Sequence, residues 1–421
     1  MKQVKAIVLG AGDRGTRAYA PYALQFPHEL GIVGVADPNE ERRKQFAELY
    51  GLKVTQCYAD WDDLLQQSKM ADVAIITTQD QLHYEPTMRA LEKGYHVLLE
   101  KPMSPNPQEC IRMEQKARKK GRLLTICHVL RYTAFWSGIK RVIDGGNIGD
   151  VVSIQLNENV GFYHFAHSFV RGNWRRKDLS SPMILAKSCH DLDILAWLVG
   201  FPCERVSSYG SLMHFHEENA PAGAPKRCLE GCLAEQQCPY YAPRFYLGEG
   251  KKWAQKITED FSEEGILKAL RTGPYGRCVY RSDNDVVDHQ VVNMEFSSGA
   301  TAMLSMCGFT HDITRIVQIM GTKGEIRGDL IKNCFTVYDF LTQQQSEVRV
   351  HSPVDSHGGG DFGAIRQFLH EVRHYNGTES LTSAKASVQS HLMAFAAEES
   401  RLNKGKSIEL QEYYSQVMHI Q

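Results

Sequence analysis

The sequence predicts an α/β protein whose first part is a doubly wound parallel sheet. The second part is predicted to be an α+β domain with a large open, mainly antiparallel sheet. Two observations carry this prediction. Residues 4–127 alternate between short apolar runs and helix-like stretches, the pattern of parallel strands joined by crossover helices. From Val151 onwards the apolar residues follow a period of 2, which is typical of antiparallel strands with one solvated face.

The first part contains five apolar runs that we interpret as strands and three longer stretches that we interpret as helices. The strands are Val4–Leu9, Ile32–Ala36, Val73–Thr77, Val97–Leu99 and Leu123–Cys127, and the helices are Asn39–Tyr50, Tyr84–Lys93 and Pro107–Lys120. Gly51 and Gly94 follow two of these helices and are expected to cap their carboxyl ends.

The second part begins after a predicted linking helix, Phe135–Gly145. Apolar Val152, Ile154 and Leu156 alternate with polar residues, as in a half-buried strand. Further predicted elements are a hairpin of Val286–Phe296 and Thr301–Phe309, an insertion rich in Pro, Gly and Cys at 217–283, and the helices Phe362–Tyr375 and Ala384–Leu402. We therefore predict two domains, 1–130 and 131–421.

The composition argues against several classes of partner. The chain has 421 residues with 48 basic and 49 acidic side chains, so no excess charge favours nucleic acid or an anionic membrane. No apolar run reaches the length of about 18 residues that a membrane span requires. No apolar leader segment follows Met1, and we expect a cytoplasmic protein.

A glycine-rich turn joins the first predicted strand to a predicted helix. It reads Gly10-Ala11-Gly12-Asp13-Arg14-Gly15, the pattern G-x-G-x-x-G. In this pattern the first glycine permits the tight turn, the second lets a pyrophosphate approach the backbone, and the third allows close packing of helix and strand. The first part is therefore predicted to be a Rossmann domain that binds a dinucleotide. The candidate contacts are Gly10, Gly12, Asp13, Arg14 and Gly15; a plain glycine-rich loop is the competing interpretation.

Asp37 ends the second predicted strand, where a carboxylate binds the ribose hydroxyls of NAD and repels the 2′-phosphate of NADP. Asp37 therefore favours NAD as the cofactor. Two features leave the choice open. Arg42 and Arg43 follow closely and can reach a phosphate, and Asp37 can instead be an ordinary acidic residue at a helix start.

Two further segments carry a resemblance to a known family. They are Thr77–His83, with the sequence T-T-Q-D-Q-L-H, and Gly94–Pro102, which ends in E-K-P. With the glycine turn, they resemble the Gfo/Idh/MocA family of oxidoreductases. The resemblance implies that Lys101 lies beside the nicotinamide and the reacting hydroxyl and transfers the proton. It also implies cofactor contacts from Thr77, Thr78, His83, Glu100 and Lys101; Gln79 and Asp80 depart from the family pattern.

A second landmark in the same resemblance is the segment Ala186–Gly200. The family shows D-x-G-x-H-x-x-D here, and His190 and Asp193 match its histidine and second aspartate. Ala186 stands where the first aspartate is expected, so K-S-C-H-D-x-D marks a distinct branch. The resemblance implies that His190, and in this branch Lys187, join Lys101 in binding a polyhydroxylated substrate. A core or capping role for His190 and a solvated position for Lys187 remain open.

The insertion contains three closely spaced cysteines, Cys228, Cys232 and Cys238, and a fourth, Cys278, follows later. Four thiolates can form a tetrahedral zinc site that pins a long loop. The spacing matches no standard zinc or iron–sulfur pattern, and free thiols in a packed loop are the alternative. Downstream, His357 to Asp361 resembles a substrate-side loop of the family.

These observations predict an NAD-dependent oxidoreductase that acts on a secondary hydroxyl of a sugar, cyclitol or related polyol. One alternative is a redox-assisted glycoside hydrolase, in which tightly bound NAD oxidises a ring hydroxyl, the glycosidic substituent is eliminated, water adds and the ring is reduced again. Another is a ligand sensor without catalysis, which the retained Lys101 and His190 argue against. We expect a homo-oligomer, a dimer or tetramer, because large open sheets often cover a face with a second copy.

Overall fold

In the computed structural model, which describes residues 2–352 and 357–419, the first part of the chain forms a six-stranded parallel sheet. Its strands are β1 (Val4–Leu9), β2 (Leu30–Ala36), β3 (Cys57–Tyr58), β4 (Val73–Ile76), β5 (His96–Leu99) and β6 (Leu124–Ile126). The order β3-β2-β1-β4-β5-β6 confirms the predicted doubly wound sheet. Only β3 was not predicted, because two residues are too short to show a period.

Crossover helices connect these strands, and their ends follow local sequence signals. They are α1 (Pro21–Gln25), α2 (Glu40–Tyr50), α3 (Trp61–Gln66), α4 (Tyr84–Glu92) and α5 (Pro107–Lys120). Asn39 caps α2 by accepting a hydrogen bond from the Arg42 amide, and Gly51 ends it with a φ of 64°. Gly94, with a φ of 81°, likewise follows α4 as predicted.

The second part contains a nine-stranded sheet, entered through the linking helix α6 (Ala134–Asp144). Its strands are β7 (Val151–Asn159), β8 (Cys203–Ser211), β9 (His289–Phe296), β10 (Thr301–Cys307), β11 (Thr314–Gly321), β12 (Gly324–Asp329), β13 (Cys334–Asp339), β14 (Gln345–Arg349) and β15 (Ile408–Glu409). The order is β14-β13-β12-β11-β7-β10-β9-β8-β15, and only β7 and β10 pair in parallel. The predicted open, mainly antiparallel sheet and the β9–β10 hairpin are therefore confirmed.

One face of this sheet is covered by helices and the other is exposed. The helices of the second part are α7 (Phe162–Phe165), α8 (Met183–Ala186), α9 (Cys189–Val199), α10 (Ala242–Leu247), α11 (Glu263–Thr272), α12 (Gly360–Arg373), α13 (Ala384–Leu402) and α14 (Leu410–His419). Ile154 and Leu156 on β7 are fully buried beneath α9, whereas Gln155 on β7 and Ile316 on β11 point to the other face and are exposed. This arrangement explains the period of 2 in the sequence.

The helix α12 packs away from the second sheet and joins the core of the first. Ile365 and Phe368 of α12 are buried in one apolar cluster with Val8 and Val35 of the parallel sheet. The chain thus returns to its first part after building the second sheet. The proposed boundary at residue 130 separates the two sheets in sequence, but it does not separate their packing.

The insertion at 217–283 has a small apolar core of its own. Ala242, Tyr246, Ile266 and Leu270 are fully buried there, and Cys228 packs with them. Within residues 2–352 and 357–419, no helix is both long and apolar enough to cross a membrane.

Candidate active site

The glycine turn follows β1 at the point where the strand order reverses. A Cβ atom on Gly10 would lie 2.7 Å from the Thr77 carbonyl oxygen, and one on Gly15 would lie 2.2 Å from the Gly10 carbonyl oxygen. A Cβ on Gly12 would meet only an Arg42 guanidinium nitrogen, at 3.7 Å. Gly10 and Gly15 are therefore required by packing, while Gly12 leaves open space beside the backbone. This fits a loop that lets a pyrophosphate approach.

The helix after the turn starts with an unusually wide turn, Arg14–Tyr19, in which the Ala20 amide donates to the Gly15 carbonyl. The helix then narrows into α1 at Pro21, which has no amide hydrogen to donate. Asp13, another candidate contact, is partly exposed and forms ion pairs with Arg17 and Lys256 at 3.6 Å each. The predicted strand–turn–helix unit is present, with this difference in its first turn.

Asp37 lies at the end of β2 and is buried. Its Oδ2 accepts a hydrogen bond of 2.8 Å from the Ala11 amide, and its Oδ1 accepts one of 2.8 Å from the Asn39 amide. The side chain thus links the glycine turn to the start of α2, and both interpretations offered by the sequence describe part of its role. Each carboxylate oxygen has a second lone pair that a ribose hydroxyl can use.

Arg14 takes part in a buried ion-pair network. Its guanidinium contacts Glu100 at 2.5 Å, the Tyr19 hydroxyl at 2.6 Å and Asp361, at the start of α12, at 2.6 Å. Burial alone would raise the pKa of the Glu100 carboxyl, but Arg14 and Lys101 hold it below its ordinary value. The network fixes the end of β5 against α12, so Arg14 and Glu100 organise the site from beneath.

Thr77, Thr78 and His83 shape the loop after β4. The Thr77 hydroxyl donates to the Gly10 carbonyl at 2.6 Å, which joins this loop to the glycine turn. The His83 ring is buried, with Nδ1 at 2.7 Å from the Pro102 carbonyl and Nε2 at 3.1 Å from the Thr78 carbonyl. His83 therefore braces the segment that carries Lys101.

Lys101 follows β5 at the carboxyl edge of the parallel sheet. Its amide donates a hydrogen bond of 2.7 Å to Glu100 Oε2, and its ammonium donates one of 2.8 Å to the Ala186 carbonyl. The carboxyl edge of a doubly wound sheet is where ligands bind, and Ala186 ends α8 in the second part. The side chain of Lys101 thus spans the boundary between the two parts.

His190, in the first turn of α9, is buried close to Lys101. Its ring centroid lies 5.6 Å from that of His128 and 6.3 Å from that of His357. Burial and the positive charge of Lys101 hold the pKa of His190 well below its usual range, so the ring is neutral. Its Nδ1 is buried and has no hydrogen-bond partner among the residues that the structure describes.

Lys187 belongs to a buried cluster that the sequence analysis did not find. Its ammonium lies 3.2 Å from Glu158 on β7, and Glu158 also contacts Arg315 on β11 at 2.8 Å. Arg315 donates a hydrogen bond of 2.6 Å to Asp191 on α9. The sequence did contain a signal of this cluster. Glu158 is separated from the buried Ile154 and Leu156 by an even number of residues along β7, so its side chain points to the same buried face. A carboxylate at a core-facing position indicates a special role.

The second aspartate of the motif, Asp193, has a structural role. Its two oxygens each accept a 2.7 Å hydrogen bond from the Arg131 guanidinium, and both side chains are buried. Arg131 also donates to the Leu381 carbonyl, just before α13. This paired contact fixes α9 against the end of the parallel sheet.

The structure does not support the zinc site expected in the insertion. Cys228, Cys232, Cys238 and Cys278 do line one small cavity, but residues 2–352 and 357–419 contain no group of three or more His, Cys, Asp or Glu placed to hold a metal ion. Arg171 holds the loop instead, through the Tyr240 carbonyl at 2.7 Å.

Comparison with known proteins identifies both parts of the chain. A family model described as an oxidoreductase family with an NAD-binding Rossmann fold matches residues 4–128, and the model of that family's C-terminal alpha/beta domain matches residues 140–410. The protein YteT of Bacillus subtilis (strain 168), named as an oxidoreductase, is 27% identical over 361 residues, which are 81% of this chain and 82% of YteT.

Other relatives match over a shorter length or in fold alone. An inositol 2-dehydrogenase of Klebsiella pneumoniae (strain 342) is 27% identical over 201 residues, 47% of this chain and 54% of its own length. A levoglucosan dehydrogenase solved with NADH and L-sorbose has a TM-score of 0.72 at 19% identity, covering 97% of this chain and 99% of its own. That likeness shows a common fold. The two model matches span nearly the whole sequence, and the chain belongs to the Gfo/Idh/MocA family of NAD-binding oxidoreductases.

Proposed function

We propose that this protein is an NAD-dependent oxidoreductase that acts on a secondary hydroxyl of a sugar, cyclitol or related polyol, with Lys101 as the proton-transfer group. The observation that carries the proposal is the position of the Lys101 ammonium. It lies at the carboxyl edge of the parallel sheet, 2.8 Å from the Ala186 carbonyl and beside the neutral ring of His190. A basic group there is within reach of a ligand bound between the two parts.

The residues around the glycine turn fit a dinucleotide. The open space at Gly12 admits a pyrophosphate, and the free lone pairs of Asp37 suit ribose hydroxyls. A carboxylate at this position repels a 2′-phosphate, which supports NAD over NADP. The exposed guanidinium of Arg42 lies 3.4 Å from Asp37, so the carboxylate neutralises the cation that would otherwise attract that phosphate.

The chemistry divides between the cofactor and the chain. When bound, NAD accepts or returns a hydride at the nicotinamide. In oxidation the neutral amine of Lys101 takes the proton from the substrate hydroxyl and becomes the ammonium, and in reduction the ammonium gives that proton back. The Ala186 carbonyl and the Glu100 carboxylate hold Lys101 in place from opposite ends of the residue, one at the ammonium and one at the amide. His190 then orients the hydroxyl through its unpaired ring nitrogen.

The substrate class rests on the polar groups that converge near Lys101 and on the relatives. His190 and Lys187 offer hydrogen bonds from a buried setting, which suits a ligand with several hydroxyl groups. Relatives named as an inositol 2-dehydrogenase and a levoglucosan dehydrogenase act on compounds of this class by name.

A substrate panel tests the proposal. Purified protein is mixed with NAD and, separately, with cyclitols, aldoses and alditols, and NADH formation is followed by absorbance; NADP serves as the cofactor control. We expect NADH in a one-to-one ratio with oxidised product for at least one compound. If no member of the panel is oxidised, the proposal is wrong. Aryl glycosides without added NAD form a separate arm, in which repeated cleavage without net NADH would instead support the redox-assisted glycoside hydrolase.

We also propose that copies of this chain associate through the uncovered face of the nine-stranded sheet. This face exposes the apolar side chains of Tyr209, Val291 and Ile316 alongside polar residues. Apolar side chains on an open sheet face are typical of a surface covered by a second copy. Light scattering on a size-exclusion column is expected to give the mass of a dimer or tetramer, and the mass of a monomer would contradict this.

A further inference from the structure

Two neighbouring strands of the second sheet place opposite charges directly against each other. Glu158 on β7 and Arg315 on β11 are register partners in the antiparallel ladder, and both point to the buried face. Most inward positions of these strands are apolar, as at Leu156 and Val317. The charged pair is therefore an exception to the pattern that forms the core.

Two more charged side chains complete the group. Lys187, just after α8, lies 3.2 Å from Glu158 Oε1, and Asp191 on α9 accepts a hydrogen bond from Arg315 at 2.6 Å. Glu158 and Asp191 have no exposed side-chain surface, Arg315 has 9%, and Lys187 has 15%. Lys187 is thus the most exposed of the four side chains.

Stability alone does not account for this cluster. Removing four charges from water costs several kcal/mol per ion, and apolar residues of similar volume are often at least as stabilising. Glu158 forms ion pairs with Lys187 and Arg315, but both of its oxygens and Asp191 Oδ2 lack a hydrogen bond of good geometry within the described part of the chain. Buried carboxylates held in this way beside a partly exposed lysine side chain indicate a functional arrangement.

The cluster lies next to the proposed active site. Lys187 directly follows Ala186, whose carbonyl accepts the hydrogen bond from the Lys101 ammonium. The positive charge of Lys101 is also one cause of the lowered pKa of Lys187, after burial and Arg315. The two lysine side chains therefore approach the same region from opposite sides of the boundary.

We infer that Glu158 is a positioning residue of this active site, which holds the Lys187 ammonium where it donates a hydrogen bond to a substrate oxygen. The inference rests on the proposed function and extends it to the second sheet. Arg315 fixes the Glu158 carboxylate from behind, and Asp191 fixes Arg315. Lys101 transfers the proton, while Lys187 binds and orients the neighbouring oxygen.

The charges that face Lys187 come from every element around it. They are Glu158 on β7, Arg315 on β11, Asp191 on α9, Lys101 after β5 and His164 in α7. Burial lowers the pKa of Lys187, and the Glu158 carboxylate opposes that effect. Without this carboxylate the ammonium would lose its proton at a lower pH and would no longer be a reliable hydrogen-bond donor.

The test compares Glu158→Gln and Glu158→Asp with wild type, and Glu295→Gln is the matched control. Glu295 lies on β9 of the same sheet and pairs with Arg205 at 3.2 Å, but on the exposed face. We expect Glu158→Gln to raise KM for the sugar and to lower kcat/KM by about tenfold or more, the effect of losing one charged contact. NAD affinity should change by less than about twofold, since Glu158 lies away from the glycine turn.

A second readout follows the proton on Lys187 itself. Lysine labelled with carbon-13 at Cε gives one NMR signal per residue, and Lys187→Met identifies the signal of Lys187. The pKa from that signal should fall by about one unit or more in Glu158→Gln, that is, about tenfold in the acid constant. It should remain close to the wild-type value in Glu158→Asp and in Glu295→Gln.

The outcomes distinguish this inference from the proposed function. If wild type oxidises no compound, the proposed function is wrong and the inference falls with it. If wild type is active but Glu158→Gln keeps both kcat/KM and the pKa of Lys187, only the inference is wrong. If Glu158→Gln does not fold, KM for the sugar is measured in Glu158→Asp and in Lys187→Met instead. An unchanged KM in both variants overturns the inference. In the Lys187→Met background, Glu158→Gln should lower kcat/KM by less than about twofold, because it acts through Lys187.

Discussion

The ammonium of Lys101 donates a 2.8 Å hydrogen bond to the backbone carbonyl of Ala186. This contact joins the carboxyl edge of the parallel sheet to the helix pair that covers the antiparallel sheet. It also holds the Lys101 side chain at the position where the family pattern has an aspartate, because residue 186 of this chain is an alanine. The backbone thus supplies the anchor that the side chain lacks.

Lys101→Ala should remove most turnover and leave NAD binding almost unchanged. The variant loses the proton-transfer group, and general acid–base catalysis contributes about a hundredfold or more to rates. The measurement is kcat with the best substrate of the panel, together with NAD affinity by calorimetry. Lys119→Ala on the exposed side of α5 is the control and should behave as wild type. Full activity of Lys101→Ala would contradict the role given to Lys101.

Gly12→Ala should separate cofactor binding from folding. An added Cβ meets no protein atom closer than 3.7 Å, so the free energy of unfolding should change by less than about 1 kcal/mol. The methyl group occupies the space left for a pyrophosphate, and such overpacking costs about 1–3 kcal/mol. NAD affinity should therefore fall about tenfold to a hundredfold.

Gly15→Ala is the matched comparison for Gly12→Ala, because its Cβ would lie 2.2 Å from the Gly10 carbonyl oxygen. This variant should lose stability as well as NAD affinity. Thermal unfolding without NAD and calorimetry with NAD provide both numbers. If Gly12→Ala binds NAD as tightly as wild type, the open space at Gly12 is not the pyrophosphate site.

Asp37→Ser should reduce the preference for NAD over NADP. Loss of the carboxylate removes the repulsion of a 2′-phosphate and frees Arg42, 3.4 Å away, to bind it. The ratio of the two affinities should shift towards NADP by about tenfold or more, as for a charged hydrogen bond. Asp60→Ser is the control, since Asp60 caps α3 through the Asp62 amide and has no proposed ligand contact. An equal loss of stability in both variants with no shift in preference would show that Asp37 only links the glycine turn to the start of α2.

His96 should make the folded state sensitive to acid. Burial lowers the pKa of His96 from 6.5 to about 4, and its Nδ1 accepts a hydrogen bond from the Leu123 amide. Between these pH values the unfolded chain binds a proton that the folded chain does not, so the free energy of unfolding falls as the pH falls from 6.5 to about 4.

The measurement is urea unfolding at several pH values in that window. His96→Asn retains an acceptor for the Leu123 amide but does not titrate, so its stability should depend less on pH than that of wild type. His28→Asn, which replaces an exposed histidine, should follow wild type. Parallel curves for wild type and His96→Asn would contradict the prediction.

Much of the first part could be predicted because its signals are local. The bounds of β1 and α5 agree with the predicted ranges, since β1 is one apolar run and α5 begins at a proline and is followed by a glycine. Bounds elsewhere differ by one to three residues, as for β2, which begins at Leu30 instead of Ile32. The structure does not support the zinc hypothesis, because the spacing of cysteines along the chain does not fix the distances between their sulfur atoms.

The sequence by itself determined the dinucleotide fold and the family, and it nominated Lys101 and His190 as candidate site residues, because each depends on a short motif whose residues are neighbours along the chain. Only the tertiary structure decided that Glu158, Arg315, Lys187 and Asp191 meet, and that Asp361 contacts Arg14. Those contacts depend on strand register and on the return of α12 to the first sheet. Both are set by burial summed over many distant residues, and no local pattern encodes that sum.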